Sequence, residues 1–387
     1  MGRIHTLHIE NFRAIGSLDY APRQLNIICG KNNTAKSALL DAIFLNGTGE
    51  YKRDQFLLNE NRENLIKVNE SKATIYSNLN AVTIYQSLDV CKKEDQKTYE
   101  HIKESIILIR INQIENYIKD IEDNDKLREA YIEVIFESLE YIIITSDLSY
   151  QIIPYQLIER QKIFDRFQHV IENSEKVKLR NRHFYLLKSR IFSPISLNRP
   201  SNKSLKLIHP PIIKVSHEEK LSPERMDDEE IHLLEQFIKE HNLVRNLERL
   251  TQNNILYRRG DEIETIPISA HGDGFITLLS LFHYLRKSQD GILLIEEPEN
   301  HLHPEYLAIF IETLFTYAPK LNVQVFMTTH SYDLIQTALD YPEDDAEKEL
   351  LLISKMTSDG ETIEKYDYTV DEGRRVTEEL KLDLRGI

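Results

Sequence analysis

The stretch Leu25-Asn26-Ile27-Ile28-Cys29-Gly30-Lys31-Asn32-Asn33-Thr34-Ala35-Lys36-Ser37 decides how this chain is read. Leu25 to Cys29 is a short apolar run, the pattern of a buried strand. A helix is expected from Ser37, with Leu39, Leu40, Ile43 and Phe44 on one face and Gly47 and Gly49 at its end. Gly30 to Ser37 join the two in a tight loop. Such a loop turns backbone N–H groups inward at a helix N-terminus, where orphan amides and the helix dipole bind phosphate. Gly30, Asn32, Asn33, Thr34 and Ala35 line the loop. Lys36 is placed to reach the β- and γ-phosphates, and the Ser37 hydroxyl to bind Mg²⁺. Ala35 stands where this pattern usually carries a second glycine, and alanine fits if its backbone need not take a positive φ. The alternative is an ordinary strand-to-helix turn rich in asparagine.

A second stretch, Ile292-Leu293-Leu294-Ile295-Glu296-Glu297-Pro298, has the same logic. Its aliphatic run reads as a strand buried on both faces, as in a parallel sheet under helices. Pro298 stops the pairing, which leaves two carboxylates at the strand's carboxyl end, where open α/β sheets bind ligands. Glu296 can hold the metal that a phosphate loop needs, and Glu297 is then free to polarise a water as general base. A solvated acidic loop is the plainer alternative. Val323 to Thr329 reads as a third strand, tipped by His330. If it lies beside the second, His330 faces the γ-phosphate. A histidine at a strand end is often structural, but the polar flanks Thr328, Thr329 and Ser331 favour a role in the site.

Composition sets the bounds. The chain has 387 residues, 41% hydrophobic and 29% charged, enough for two domains or one with a large insertion. Its net charge of −15 excludes nonspecific coating of nucleic acid, though a local basic groove is compatible with it. The cysteines, Cys29 and Cys91, form no CxxC pair, so a disulfide framework or zinc site is not expected. No apolar run is long enough for a bilayer and no signal peptide is visible, so the expected location is the cytoplasm, with no membrane partner.

Along the chain, Leu7 to Phe12 alternates like a half-buried strand, and Ala81 to Tyr85 carries strand signals. From about Lys92 to Leu187 the pattern turns helical. Segment 176–206 reverses the charge: Lys178, Arg180, Arg182, Lys188 and Arg190 lie there with no acidic residue among them. It is either a patch for nucleic-acid phosphates or a partner, or a solvated face that pairs with the acidic remainder. A helix is expected from Asp227 to Leu250, another from Phe275 to Leu285 and a last one from Asp371 to Leu384, with Asp340 to Glu349 an acidic loop. Gly272-Asp273-Gly274 is a simple turn or, as glycines before a helix, a second phosphate cradle.

These motifs occur together and in order: Asn11-Phe12-Arg13, Gly30 to Ser37, Gly272 to Gly274, Glu296-Glu297-Pro298-Glu299 with His301 to Pro304, and Thr328 to Ser331. The set resembles the ABC-type ATPases of the OLD (overcoming lysogenization defect), RecF and SMC group, above all the OLD-like ATPases of bacterial anti-phage defence. The resemblance covers roughly the first fifty residues and everything from about Ile266. It implies an α/β P-loop NTPase of ABC-ATPase type, with a mixed N-terminal β-sheet, a mainly parallel core sheet flanked by helices, and a largely helical insertion. Residues 1–90 would form the first part of the head, 91–205 the insertion or arm, and 206–387 the rest of the head.

By the same resemblance, Gly30 to Ser37 match the Walker A loop, Glu296 the Walker B acid, Glu297 the catalytic glutamate and His330 the switch histidine. Ser269, Gly272, Asp273 and Gly274 take the place of the signature, and Asn300 and His303 that of the D-loop. Gln86 is the candidate for a Q-loop. The cofactors implied are ATP and Mg²⁺, bound between two heads of a homodimer, with a higher oligomer left open. Full-length OLD nucleases carry a TOPRIM domain after the ATPase, whereas this sequence ends at Ile387. A separate effector, a TOPRIM nuclease or a toxin, is therefore expected as partner. A RecF- or SMC-like repair ATPase that binds DNA, and a nucleotide-gated scaffold with little turnover, are the other readings.

Overall fold

The computed structural model describes residues 2–48, 65–100, 102–104, 139–145, 150–154, 195–197, 210–215, 226–360 and 362–379. In chain order these form β1 (Leu7–Phe12), β2 (Ile15–Tyr20), β3 (Leu25–Cys29), α1 (Lys36–Thr48), β4 (Lys72–Ser77), β5 (Ala81–Tyr85) and α2 (Leu88–Glu94). Next come β6 (Leu139–Thr145), β7 (Tyr150–Pro154), β8 (Ile195–Leu197), β9 (Ile212–Val215), α3 (Asp228–Glu240), β10 (Leu247–Leu250), β11 (Asn254–Arg259) and β12 (Glu262–Pro267). The last third holds α4 (Asp273–Lys287), β13 (Ile292–Glu296), α5 (Pro304–Lys320), β14 (Gln324–Thr329), α6 (Tyr332–Asp340), α7 (Asp345–Leu350), β15 (Leu351–Ser358), β16 (Ile363–Tyr368) and α8 (Val370–Arg374).

The fold is an α/β P-loop ATPase fold built on a six-stranded sheet of order β16-β15-β3-β14-β13-β9. Its inner strands pair in parallel, and β16 closes one edge antiparallel to β15. Parallel strands are covered on both faces, which is why β3, β13 and β14 are buried at every residue. Side chains alternate between two cores. Ile27, Leu293, Ile295, Val325 and Met327 face one core with Leu279, Phe282 and Phe310 of α4 and α5. Ile28, Ile292, Leu294 and Phe326 face the other, with Leu39, Leu40, Ile43 and Phe44 of α1. A seven-stranded sheet of order β2-β1-β4-β5-β6-β7-β8, antiparallel at each pairing, closes that second core.

α1 therefore lies between two sheets and is buried nearly all round. Its first buried turn follows the phosphate loop, so anything held by that loop is felt by both layers. Asn46 ties the helix to the antiparallel sheet: its Nδ2 donates to Ile75 O (3.2 Å) and Asn80 O (2.8 Å), and its Oδ1 accepts from Ser77 Oγ. Gly47, expected to end the helix, lies inside it. A Cβ there would fall 1.9 Å from Ile212 Cδ1, so glycine is what lets β9 approach α1.

Several sequence expectations change. The supposedly helical 92–187 contributes β6 and β7, because Leu139 to Thr145 is rich in β-branched and aromatic residues and can extend an existing sheet edge. Its helical residues 88–94, 96–100 and 102–104 are described, and the rest of the expected arm lies outside the described residues. So does basic segment 176–206, with Lys178, Arg180, Arg182, Lys188 and Arg190, apart from the short strand β8. The helix expected over 227–250 ends at Glu240. Asn242 and Asn246 take left-handed φ of 49° and 56°, and a three-stranded meander, β10-β11-β12, follows. The acidic loop 340–349 contains α7, capped by the Asp344 side chain on the Glu347 N–H. The last helix is seen as α8 and a π-turn to Glu379, and its remainder lies outside the described residues. Among the described residues no helix is long and apolar enough to cross a membrane.

Asn46→Ala is expected to cost about 1–3 kcal/mol, because it removes the three side-chain hydrogen bonds that tie α1 to the antiparallel sheet. Urea denaturation measures it.

Candidate active site

The parallel register brings the carboxyl ends of three strands into line. Cys29 of β3 pairs with Thr329 of β14, and Thr328 pairs with Glu296 of β13. The next residues along each strand, Gly30, His330 and Glu297, therefore leave the sheet at one edge, and α1 begins just above.

Gly30 has a φ of 142°, and a Cβ there would meet Met356 O at 2.2 Å. Only glycine fits on both counts. Asn33 and Ala35 follow with φ of 62° each. The condition under which Ala35 fits without strain is thus not met: alanine here adopts the left-handed conformation, at about 1–2 kcal/mol. The loop holds its shape through Thr34, which is buried and donates from Oγ1 to Lys31 O (2.8 Å). Lys36 is 6% exposed, and its Nζ donates to Gly30 O (3.0 Å) and Lys31 O (2.7 Å). Burial pushes its ammonium down to about 8, against the pull of Glu297 and Glu299. Asn32, Asn33 and Ser37 are exposed around it.

The acids sit opposite. Glu297 departs from the strand with left-handed backbone (φ 46°, ψ 57°), which turns its side chain out of the sheet, and its N–H donates to Thr328 O. The turn places Glu297 Oε1 3.1 Å from His330 Nε2. Both side chains are about one-third exposed (37% and 33%), so water can reach the pair. Glu299, in the following 3₁₀ turn, accepts at Oε1 from Thr329 Oγ1 (2.7 Å), the His330 N–H (2.7 Å) and the Ser331 N–H (3.2 Å). One carboxylate thus fixes the backbone that carries the histidine.

Glu296 is 4% exposed, and neither of its oxygens accepts a well-formed hydrogen bond. Its nearest cation is Lys214 Nζ, 3.2 Å from Oε1. Lys214 donates at 2.6 Å to Asp41 Oδ1 on α1, and Asp41 Oδ2 pairs closely with the Arg13 guanidinium at the β1–β2 turn. A buried carboxylate with open lone pairs, beside a loop of inward amides and a helix-start serine, fits a divalent cation on a phosphate.

The remaining motif residues lie on other elements. Gly272 is the N-cap of α4 and Asp273 its first residue. Ser269, Gly272 and Asp273 are exposed, whereas Gly274 is buried. Asp273, which would oppose a phosphate, suits the positive end of the α4 dipole. α4 packs on the 3₁₀ turn after the acids. Asn300 and His303, on that turn and at the N-cap of α5, are exposed. Gln86 follows β5 in the antiparallel sheet, with its N–H on Ser71 O. Sequence reading missed the roles of Lys214, Asp41 and Glu299. A lysine inside the apolar run Ile212 to Val215, and an aspartate inside the apolar α1, were the available signals.

Comparison with known proteins supplies a family. The AAA ATPase domain profile matches residues 3–335. An ATP/GTP phosphatase of Helicobacter pylori is 22% identical over 345 residues, 86% of each chain. The DNA replication and repair protein RecF of Shewanella sediminis is 34% identical over 77 residues, 20% of each chain. Among solved structures, the SMC head domain from Thermotoga maritima aligns with 95% of this chain and 99% of its own, at 12% identity and a TM-score of 0.43.

Two outcomes follow for the loop. Gly30→Ala is expected to destabilise by about 2–4 kcal/mol, and Ala35→Gly to stabilise by about 1 kcal/mol, in chemical denaturation. For Lys36, burial holds the folded ammonium at about 8, against an ordinary value of 10.5 in the unfolded chain. The unfolded chain then binds the extra proton between those values, so stability rises with pH across that window. The melting temperature of the native protein should gain on that of Lys36→Met from pH 8 to 10.5.

Proposed function

This chain belongs to the AAA ATPase domain family, and on that premise we propose that it hydrolyses ATP with Mg²⁺ at a site shared between two copies of its head. It is an ATPase of the broad ABC type to which SMC and RecF heads belong. The observation that carries the finer reading is the meeting of Glu297, His330 and the Lys36 loop at one sheet edge.

In this reading Lys36 exchanges the carbonyls of Gly30 and Lys31 for phosphate oxygens, and the loop amides with the α1 dipole hold the rest of the triphosphate. Ser37 and Glu296 would hold Mg²⁺, which would neutralise charge on the phosphates. Glu297 orients the attacking water and accepts its proton, while His330 holds Glu297 in the outward rotamer and faces the γ-phosphate that is transferred to water, ADP being the leaving group. The exposed Ser269, Gly272 and Asp273, with Asn300 and His303 on the adjoining turn, form the surface that meets the nucleotide of the second head. Closure on ATP and opening after hydrolysis gate a separate effector, a TOPRIM nuclease or a toxin, in anti-phage defence. The H. pylori relative named as an ATP/GTP phosphatase supports turnover rather than a silent scaffold.

A second reading, a DNA-repair ATPase, is favoured by the short similarity to RecF. Hydrolysis stimulated by DNA, and lost when Arg180, Arg182, Lys188 and Arg190 become serine, would select it.

Glu297→Gln is expected to lower the steady-state ATPase rate by about 10²–10⁴-fold and to accumulate an ATP-bound dimer in sedimentation velocity. Lys36→Ala should lose nucleotide binding altogether. An unchanged rate in Glu297→Gln would overturn the assignment of the base.

A further inference from the structure

The buried charges behind the site have no part in the chemistry above. Arg13, at the β1–β2 turn, pairs with Asp41 of α1. Asp41 takes a 2.6 Å hydrogen bond from Lys214 of β9, and Lys214 stands 3.2 Å from Glu296 of β13. All the side chains are 7% exposed or less. The chain crosses from the antiparallel sheet through α1 to the edge of the parallel sheet.

We propose that Lys214 is a positioning residue for Glu296, one that neutralises the buried carboxylate without occupying its lone pairs and so competes with the divalent cation for it. The inference rests on the reading of Glu296 as the metal acid. Asp41 also pairs with the Arg13 guanidinium, so Lys214 is shared between Asp41 and Glu296. The contacts are unequal in the same sense. Lys214 is anchored on Asp41 by a short, well-formed hydrogen bond, while neither Glu296 oxygen accepts one. The ammonium thereby stands beside the buried carboxylate, yet the carboxylate oxygens stay open to a ligand. The register supports this, since β9 and β13 pair in parallel with Lys214 beside Leu294 and Val215 beside Ile295, which fixes the lysine's root two residues behind the acid.

An ammonium at this place repels a cation arriving on Glu296. It therefore weakens metal binding and keeps metal exchange reversible. Removing its charge should tighten metal binding even as it destabilises the fold.

The test titrates Mn²⁺ against the protein with a nonhydrolysable ATP analogue present, reading free Mn²⁺ by its paramagnetic resonance signal. Lys214→Met is expected to bind Mn²⁺ about tenfold more tightly than the native protein, and Lys214→Arg within about twofold of it. Lys214→Gln keeps N–H donors without the charge, and takes the place of the methionine variant if that one does not fold. Mn²⁺ affinity unchanged or weakened in the uncharged variants, with Glu296→Gln losing Mn²⁺ as expected, would overturn the role of Lys214 alone. Equal Mn²⁺ binding by the native protein and Glu296→Gln would instead remove the metal-acid reading on which the inference rests.

Discussion

Everything at this site depends on the parallel register of β3, β14 and β13. Once Cys29 lies beside Thr329, and Thr328 beside Glu296, the residues that follow each strand share an edge. Backbone hydrogen bonds set that register, and the alternating burial of the strands on two cores holds it: a slip of one residue would turn every apolar side chain to the wrong face. The chemistry is then decided by how each chain leaves the sheet. Gly30 departs with a φ that only glycine tolerates, and Glu297 departs left-handed. Two strained exits from adjacent parts of one sheet edge turn a loop and a carboxylate toward the same space, which is where strain at a functional site is expected to collect.

Two carboxylates in sequence end with opposite environments because a strand sends successive side chains to opposite sides. Glu296, the last strand residue, points inward, is 4% exposed and has Lys214 beside it. Glu297, one residue later and turned by its φ, faces solvent and a histidine. The difference between the two carboxylates thus requires no special pair of side chains. It needs the strand to stop between them, which Pro298 ensures.

The parts of this architecture that were legible in the sequence are those governed by local rules. Leu25 to Ser37 reads as strand, loop and helix because apolar runs, a glycine and a capping region are neighbours in the chain. Ile292 to Glu297 reads for the same reason. The parts that were not legible depend on distant partners. Leu139 to Thr145 becomes a strand because β5 offers an edge more than fifty residues away, and Lys214 acquires its meaning from Asp41 and Glu296 across the fold. The meander after Glu240 was hidden by acidic and basic residues that suit a helix surface equally well. Its sign was the pair Asn242 and Asn246, residues that accept left-handed backbone and break helices.

Glu299 shows how the motif after the acids acquires its geometry. Its carboxylate bonds Thr329, His330 and Ser331, so the 3₁₀ turn following Glu297 and the tip of β14 are joined by one side chain. α4, which begins at the exposed Gly272, packs on that same turn. A displacement of the turn would therefore carry the Glu297 backbone, the histidine and the helix together, since the hydrogen bonds to one carboxylate leave little freedom between them. The short segment between the acids and α5 is then more than a connection: it joins the end of β13 to the tip of β14 and to the start of α4's packing face.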